Sequence, residues 1–294
     1  MVDREQNLRI PEGHDHPTNK RQLVIKNLLG NGMCGKVYLG IKRDDDSQVY
    51  AIKVISEGRS SKRLQRELNI PLFIQGHPNI VKYYGYFIED GYYYILNEYI
   101  DGVCLDDWVL PDKRQPSNFL LLLNIIYQLL DAYQFIHSCD VVHRDVKPEN
   151  IMLKDEKTPY IIDFDLAATY YSSNSEKPGY DIKKNRFICY DLVGTPLFYA
   201  PEIWAEDSPI NYTLADTYSL GIVIYYLMND KSLPYFAETY DDFYQTISLQ
   251  PPKPSKSGSL QLDKMIMGLL QRDPNVRMTL SQGKEIVKTI ISNY

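Results

Sequence analysis

The sequence His143-Arg144-Asp145-Val146-Lys147-Pro148-Glu149-Asn150 places an imidazole, a guanidinium, two carboxylates, an ammonium and an amide within eight positions. Short apolar runs precede it at 141–142 and follow it at 151–153, which predicts a polar loop between two strand ends. Its proline disfavours an α-helix through the segment. The spacing of Asp145, Lys147 and Asn150 fits phosphoryl transfer to a hydroxyl group. His143 by itself is better explained as a core histidine bonded to backbone.

The composition is that of an ordinary globular protein. The chain has 294 residues, of which 44% are hydrophobic and 24% charged, enough for one large domain or two lobes sharing a cleft. Its net charge of −6 argues against a nucleic-acid-binding protein. None of the four cysteines lies in a C-x-x-C pair, which predicts reduced thiols in a cytoplasmic protein rather than a disulfide framework or a zinc site.

The terminus and the longest apolar run indicate neither secretion nor membrane insertion. No apolar core follows the first residues, so no secretory signal is predicted. The apolar run at 119–130 is interrupted by Asn124 and Gln128 and is too short to span a bilayer, so we expect a buried helix. Residues 1–22 are predicted to form a polar tail, in which His14 and His16 are better explained by solvent exposure than by metal binding.

A G-x-G-x-x-G pattern begins at Gly30. Alone it is weak evidence, because dinucleotide-binding folds share this spacing. Here residues 37–41 have a strand pattern rather than a helix pattern, and a turn at 44–47 leads into another strand, which argues against a dinucleotide-dependent oxidoreductase. The aspartates at 44–46 lack the features of a calcium loop and predict a hairpin tip. A glycine turn between two strands can bring backbone N–H groups close to phosphates.

Together these patterns resemble the eukaryotic-type protein kinase family. Residues 143–150 resemble its catalytic loop H-R-D-x-K-x-x-N in the serine/threonine version. Further motifs follow in the family's order: Asp163-Phe164-Asp165, Gly194-Thr195-Pro196, Ala200-Pro201-Glu202, Asp216 to Gly221, and Arg277. The resemblance implies an α+β, bilobal fold. It has a small, mainly-β N-lobe (23–96), a hinge (97–102) and a larger, mainly-α C-lobe (103–292), with the ATP cleft between the lobes.

The resemblance also implies the catalytic roles. Asp145 would be the catalytic base, and Lys147 would lie beside the transferred phosphoryl group. Lys53 would bind phosphates while paired with Glu67. It interrupts the apolar strand 50–55, where an unpaired lysine would be costly, so it either extends to solvent or meets anions. Pro71 lies one turn after Glu67 and predicts the end of that helix.

Metal and nucleotide sites follow from the same resemblance. Asn150 and Asp163 would hold Mg²⁺, which prefers oxygen ligands. The residues implied for ATP binding are Leu29, Gly30, Asn31, Gly32, Gly35, Val37, Ala51, Lys53, Glu98 and Ile100. The carbonyl of Glu98 and the amide of Ile100 would bond the adenine edge. Asn97 occupies a position that is commonly apolar in the family, and we expect Asn97→Met to change inhibitor selectivity rather than ATP use.

The activation segment, 163–202, carries the regulatory expectations. Its polar middle, 171–186, predicts a mobile insertion. Thr195 would bond Asp145 and Lys147. Asp191 lies where many relatives carry an activating phosphate, and our hypothesis is that its carboxylate partly replaces that phosphate opposite Arg144. The alternative is that Asp191 is a solvated loop charge.

One residue of the segment departs from the family pattern. Asp165 replaces the glycine of D-F-G, which predicts a disfavoured outward flip of Phe164 and added negative charge near the metal site.

Structural roles are implied for three more residues: Asp216 would anchor the catalytic-loop backbone, and Arg277 would form a buried ion pair with Glu202. Helices are predicted at 105–109, 119–137 and 222–228.

Two functions remain compatible with the sequence. The first is an active serine/threonine kinase that uses ATP and Mg²⁺ on a protein substrate. The alternative is a pseudokinase scaffold, whose usual sign is loss of Lys53, Asp145 or Asp163, and all three are present. Glu149 occupies a position that, in some relatives, favours substrates with basic residues before the phosphoacceptor. The other position that is acidic in those relatives is Tyr226 here, which weakens this indication of the substrate. No nucleic-acid or membrane partner is expected.

Overall fold

The computed structural model describes residues 16–31, 35–58, 61–108, 115–169, 180–181, 186–189, 194–204, 210–237 and 239–294. An antiparallel five-stranded sheet comes first in the chain and a mainly helical region follows it, in agreement with the predicted bilobal α+β fold. The sheet order is β1-β2-β3-β5-β4. Its strands are β1 (Leu23–Asn31), β2 (Lys36–Lys42), β3 (Asp45–Ser56), β4 (Tyr83–Glu89) and β5 (Tyr92–Glu98).

Strands flank the glycine turn on both sides, as predicted. The turn residues 32–34 lie outside the described residues, but β1 and β2 pair from Asn31↔Lys36 to Leu23↔Lys42, with register shifts on both sides of Leu28. The hairpin tip is shorter than expected, because Lys42 pairs with Asp45 and only two residues connect the strands. Strand β5 continues through Glu98 and so includes the first two residues of the expected hinge.

Helix α1 (Ser61–Asn69) covers one face of the sheet. Its buried Leu64 and Leu68 are one turn apart and pack with Ile55 and Ile95. The helix ends at Asn69 and a 3₁₀ turn (Ile70–Phe73) follows, which confirms the expected effect of Pro71. The other face of the sheet has its own cluster, formed by Leu23, Tyr50, Ile52, Phe87, Tyr94 and Leu96.

The segment just before β1 is packed against the sheet at His16. His16 Nδ1 and the Tyr50 hydroxyl are hydrogen-bonded at 3.1 Å, and the ring centroids of His16 and Tyr84 lie 4.3 Å apart. The Lys20 amide donates to the Glu89 carboxylate at 2.6 Å. The expectation of solvent exposure is therefore wrong for His16, because aromatic side chains on the sheet surface provide a partner that the sequence did not reveal, whereas residues 20–22 are exposed as expected for a polar tail. Residues 1–15 are outside the described part of the chain.

Helices form the core of the second lobe. They are α2 (Pro116–Ser138), α3 (Pro201–Trp204), α4 (Tyr212–Met228), α5 (Tyr240–Leu249), α6 (Leu260–Leu269) and α7 (Leu280–Ser292). α2 packs on α7, and α4 packs on α6. By length and composition α2 could cross a membrane, but 56% of its most apolar stretch is buried among the other helices. The predicted buried helix at 119–137 lies within α2.

Short strands frame the loops of this lobe. They are β6 (Gly102–Cys104), β7 (Val141–Val142), β8 (Ile151–Lys154), β9 (Thr158–Ile161), β10 (Ala168–Thr169), β11 (Tyr180–Asp181), β12 (Arg186–Cys189) and β13 (Ile210–Asn211). The stretch 143–150 connects β7 to β8, as predicted. Its Pro148 begins a single 3₁₀ turn, where a missing N–H costs no helical hydrogen bond.

Two helix predictions need correction. Residues 105–107 form a turn rather than a helix, since the N–H groups of Asp107 and Trp108 both donate to the carbonyl of Cys104. The helix expected at 222–228 begins ten residues earlier, because the Asn211 side chain accepts from the Thr213 amide and caps it there. Of the expected insertion at 171–186, only a backbone pairing of β11 with β12 is described, and β12 also pairs with β13.

Candidate active site

The loop between β7 and β8 is anchored from below by Asp216 of α4. Its buried carboxylate accepts the backbone N–H of His143 at 2.7 Å and that of Arg144 at 2.9 Å. The ring of His137 lies 3.2 Å from the same carboxylate, a contact that the sequence did not indicate. Arg144 has a φ of 67°, a strained angle that surrounding bonds must maintain. The predicted anchoring role of Asp216 is confirmed.

His143 is a core residue. It is fully buried, its Nε2 lies 3.3 Å from the Ile162 carbonyl oxygen, and its Nδ1 accepts the Asp145 N–H at 3.3 Å. This pairing requires the proton on Nε2. The interpretation of His143 as a histidine bonded to backbone is confirmed.

Three side chains hold the Asp145 carboxylate. The Thr195 hydroxyl donates to Oδ1 at 2.7 Å, the Asn150 amide donates to Oδ2 at 2.9 Å, and Lys147 Nζ lies 2.9 Å from Oδ2. Lys147 also donates to Thr195 at 2.8 Å, so both contacts predicted for Thr195 are present. The three partners leave the Asp145 carboxylate little freedom to rotate.

Thr195 reaches this carboxylate because the residue before it is a glycine. Gly194 has a φ of 115°, which other residues rarely adopt. A Cβ at this position would also collide with the carbonyl oxygen of Arg144. The glycine therefore lets the end of the activation segment lie directly against the catalytic loop.

Lys53 of β3 faces three carboxylates. Its Nζ lies 2.5 Å from Glu67, 3.3 Å from Asp163 and 3.8 Å from Asp165. Because the lysine is buried, extension to solvent is excluded and the predicted pair with Glu67 is present. Burial lowers the pKa of Lys53, but the three carboxylates outweigh it and raise this pKa above the ordinary lysine value. Burial, together with Asp165 and Asp163, raises the pKa of Glu67 against the opposing effect of Lys53.

Asp163 and Asn150 offer oxygen atoms suited to a magnesium ion. The Asp163 side chain is 39% exposed on a residue with a φ of 60°. Both hydrogen bonds of the Asn150 amide nitrogen go to Asp145, which leaves its oxygen for a cation. Among the described residues no cluster of three or more His, Cys, Asp or Glu side chains could hold a metal. This donor set fits Mg²⁺, which usually binds one or two protein carboxylates plus phosphates and water.

Most residues implied for nucleotide binding lie in or next to the strands β1, β2, β3 and β5. Leu29 is exposed, and no heavy atom lies within 4 Å of where a Gly30 Cβ would be. Ala51 pairs with Asn97 across β3 and β5, while Ile100 is buried.

The other residues implied for this site are placed as follows. Asn31 is exposed at the end of β1, and Val37 pairs with both Gly30 and Lys53 in the sheet. Gly35 packs so closely on β3 that a Cβ would meet the Val54 carbonyl. The Glu98 N–H donates to the Lys82 carbonyl. Gly32 lies outside the described residues, as does Asp191, so the proposed pairing of Asp191 with Arg144 stays a prediction.

Two further contacts bear on the surroundings of the loop. Arg144 Nε donates to the Leu166 carbonyl at 2.7 Å, which ties the catalytic loop to the segment after Phe164. The Tyr226 hydroxyl donates to Asp106 at 2.7 Å, and burial, Asp106 and Glu149 raise the Tyr226 pKa. The sequence analysis considered only Tyr226 at the second acidic position, and the structure brings the Asp106 carboxylate next to that tyrosine.

Comparison with known proteins decides the family. The family model for the protein kinase domain matches residues 23–287. This chain belongs to the protein kinase family. A protein of Acanthamoeba polyphaga mimivirus, provisionally named a serine/threonine-protein kinase, is 33% identical over 276 residues, 91% of this chain and 95% of its own. The names of such relatives support the eukaryotic-type serine/threonine branch.

Longer kinases share the same domain. The Aurora kinase of Saccharomyces cerevisiae is 29% identical over 260 residues, 87% of this chain and 66% of its own length. The CBL-interacting serine/threonine-protein kinase 10 of Arabidopsis thaliana is 28% identical over 266 residues, 89% of this chain and 52% of its own.

In this kinase, sequence reasoning missed one functional contact: the approach of Asp165 to Lys53. Its signal was present in the sequence, since Asp165 is the clearest departure from the family motif, but the direction of its side chain depends on the folded turn. The glycine it replaces also proves unnecessary for the backbone, because the left-handed φ in this turn belongs to Asp163 and not to Asp165.

Proposed function

We propose that this kinase is an active enzyme that transfers the γ-phosphoryl group of ATP to serine or threonine hydroxyls of proteins. The observation that carries the proposal is the Asp145 carboxylate, held by Thr195, Asn150 and Lys147 at distances of 2.7–2.9 Å. A carboxylate fixed in this way can accept the proton of an attacking hydroxyl.

The remaining groups supply binding and charge neutralisation. Lys53, kept charged by its neighbouring carboxylates, would bind the ATP phosphates, and the backbone of Glu98 and Ile100 would bind the adenine edge. Mg²⁺ bound by Asn150 and Asp163 would neutralise phosphate charge during transfer. Lys147, already bonded to Asp145 and Thr195, would stabilise the moving phosphoryl group. Positioning and electrostatics account for most of the catalysis in such a site.

The site supports this function over the scaffold alternative. The three residues whose loss marks a pseudokinase, Lys53, Asp145 and Asp163, are all present. Lys53 pairs with Glu67 and Asp145 bonds Thr195, the two contacts that the family resemblance implies for them. We also propose that the kinase acts in the cytoplasm, since Cys104 and Cys139 are free thiols. Recovery of the chain only in a membrane or secreted fraction of expressing cells would contradict that location.

The experiment compares wild type, Asp145→Asn and the control Asp155→Asn after phosphatase treatment. Asp155 is exposed in the turn between β8 and β9, so the control makes the same chemical change away from the site. We expect Asp145→Asn to lose roughly 10²–10⁴-fold in transfer of labelled γ-phosphate from Mg-ATP to protein acceptors, the range typical of a general base.

The control variant should transfer label as wild type does, and the label should be found on serine or threonine. Equal unfolding midpoints would show that Asp145→Asn is folded. If wild type binds Mg-ATP but transfers no label, the scaffold alternative is correct. Label on tyrosine would contradict the proposed substrate class.

A further inference from the structure

Two carboxylates from different parts of the fold bracket the Lys53 ammonium. Glu67 approaches from α1 at 2.5 Å, and Asp165 approaches from the turn after Phe164 at 3.8 Å. The three side chains are 8–11% exposed, so all three charges are largely removed from water. Asp163 also contacts Lys53 but is more exposed, and it is the carboxylate suited to a metal.

The supports behind the two carboxylates differ. Glu67 depends on a nine-residue helix whose described buried contacts to the sheet run through Leu64 and Leu68. Asp165 follows Phe164, whose buried ring lies 5.0 Å from that of His143 in the catalytic loop. The Ala167 N–H donates to the Phe164 carbonyl at 3.2 Å and closes the turn that contains Asp165. One partner of Lys53 is thus fixed to the first lobe and the other to the second.

Charge explains why Asp165 can hold Lys53 rather than merely lie near it. A buried carboxylate is unfavourable unless a cation compensates it, and Lys53 supplies a cation within 4.0 Å of Asp165. The backbone at Asp165 has an ordinary negative φ, so an aspartate fits here without strain. Attraction therefore persists when Glu67 is neutralised or when α1 shifts.

We propose that Asp165 is a positioning residue that shares with Glu67 the task of holding Lys53 toward the nucleotide. Lys53 then keeps its place through either carboxylate, and activity depends less on the placement of α1 than it would with Glu67 alone. The inference rests on the proposed function, because it takes Lys53 as the ligand of the ATP phosphates.

A double-mutant cycle tests this sharing. Wild type, Glu67→Gln, Asp165→Asn and the double variant are compared by calorimetric affinity for Mg-ATP and by kcat and KM for ATP. Each single variant keeps one of the two buried carboxylates on Lys53, besides the more exposed Asp163, so we expect losses below about tenfold in Mg-ATP affinity. The double variant should lose at least about tenfold more than the product of the single losses, since groups that share one partner couple strongly.

The matched control pairs Glu67→Gln with Asp155→Asn, and its losses should multiply without coupling. Unfolding midpoints establish that every variant is folded. A purely structural role of Asp165 would lower the midpoint without a selective change in the affinity for Mg-ATP or in the KM for ATP. Losses of the double variant equal to the product would overturn the proposal, as would tighter Mg-ATP binding by Asp165→Asn, which would show repulsion of phosphate. Binding with coupling but without transfer would refute only the proposed function, whereas transfer without coupling would refute only the role of Asp165.

Discussion

Two buried charge clusters, one in each lobe, differ in how their charges are balanced. In the second lobe, Arg277 is fully buried and forms a two-pronged pair with Glu202 at 2.6 and 2.8 Å. Its other guanidinium bonds go to the carbonyls of Leu214, Gln271 and Arg272, which uses all five donors. Beside the cleft, the single ammonium of Lys53 faces three carboxylates.

The difference separates a structural charge cluster from a functional one. The Arg277 cluster is balanced and has every donor satisfied, which is the condition under which a buried pair is tolerated permanently. The Lys53 cluster carries excess negative charge, and burial together with Asp165 and Asp163 raises the pKa of Glu67, a kind of shift that is common in functional sites. Removal of an acid should therefore destabilise the first cluster strongly and the second one little, and the following predictions test that contrast.

The largest effect is expected at Glu202. Glu202→Gln leaves the Arg277 guanidinium buried without its counter-charge, so we expect a loss of about 3–5 kcal/mol in the free energy of unfolding. Urea denaturation measures it, with Glu285→Gln on the exposed side of α7 as the control. A loss below about 1 kcal/mol, as for an exposed pair, would show that the cluster is not structural.

Asp216 should give the next largest effect. Asp216→Asn weakens charged bonds to the amides of His143 and Arg144 and to His137, at about 1.5–3 kcal/mol for a charged hydrogen bond. Displacement of the anchored loop should also reduce phosphoryl transfer. Thermal unfolding and the transfer assay together check this, and unchanged stability with unchanged activity would argue that the loop holds itself in place.

Some features of the fold and the site could be predicted from the sequence, and others could not. Through the family resemblance, the order of short motifs implied the bilobal fold, the Glu202–Arg277 pair, the Asp216 anchor and the contact of Thr195 with Asp145, because each needs particular residue types at fixed chain positions. Local pattern failed where a tertiary contact decides. The segment at the predicted helix 105–109 is held by β8, where the Leu105 N–H donates to the Ile151 carbonyl, and His16 is packed by Tyr50 and Tyr84 of the sheet. The hydrophobic periodicity of a short segment carries no information about such long-range contacts.

Asp165 illustrates the limit more sharply. The sequence predicted its extra negative charge near the metal site but not which cation it would meet, since that depends on how the turn after Phe164 presents the side chain. The left-handed φ of this turn belongs to Asp163 and not to Asp165, so the aspartate fits without strain here, and the disfavoured outward flip of Phe164 stays a prediction. A departure from a motif therefore identifies a position worth examining, while the fold determines its consequence.

Asp165→Asn should have little effect on stability but should change its pH dependence. Because the folded pKa of Glu67 lies above the ordinary 4.5, its contribution to stability is present below pH 4.5 and is lost as pH rises through the raised value. Removing the Asp165 charge lowers that folded pKa, so the decline should be smaller in the variant. Unfolding free energies measured across this pH range check the prediction, and identical slopes would show that the two carboxyls do not interact.

The smallest effect is expected for a charge pair that is partly exposed and has no excess of one charge. Lys284 of α7 lies 2.5 Å from Asp131 of α2, with side chains 21% and 41% exposed, so water screens their attraction. Burial raises the pKa of Asp131, but Lys284 and His77 outweigh it, so this pKa is lowered in the folded protein. The pair therefore stabilises the fold at pH values above the unfolded-state pKa of Asp131, and this stability is lost as the pH falls through its folded-state pKa. Lys284→Met should therefore cost about 0–1 kcal/mol in urea denaturation at neutral pH, and less in high salt. A loss as large as that of Glu202→Gln would mean that proximity, rather than burial and complete pairing, governs the contrast between the clusters.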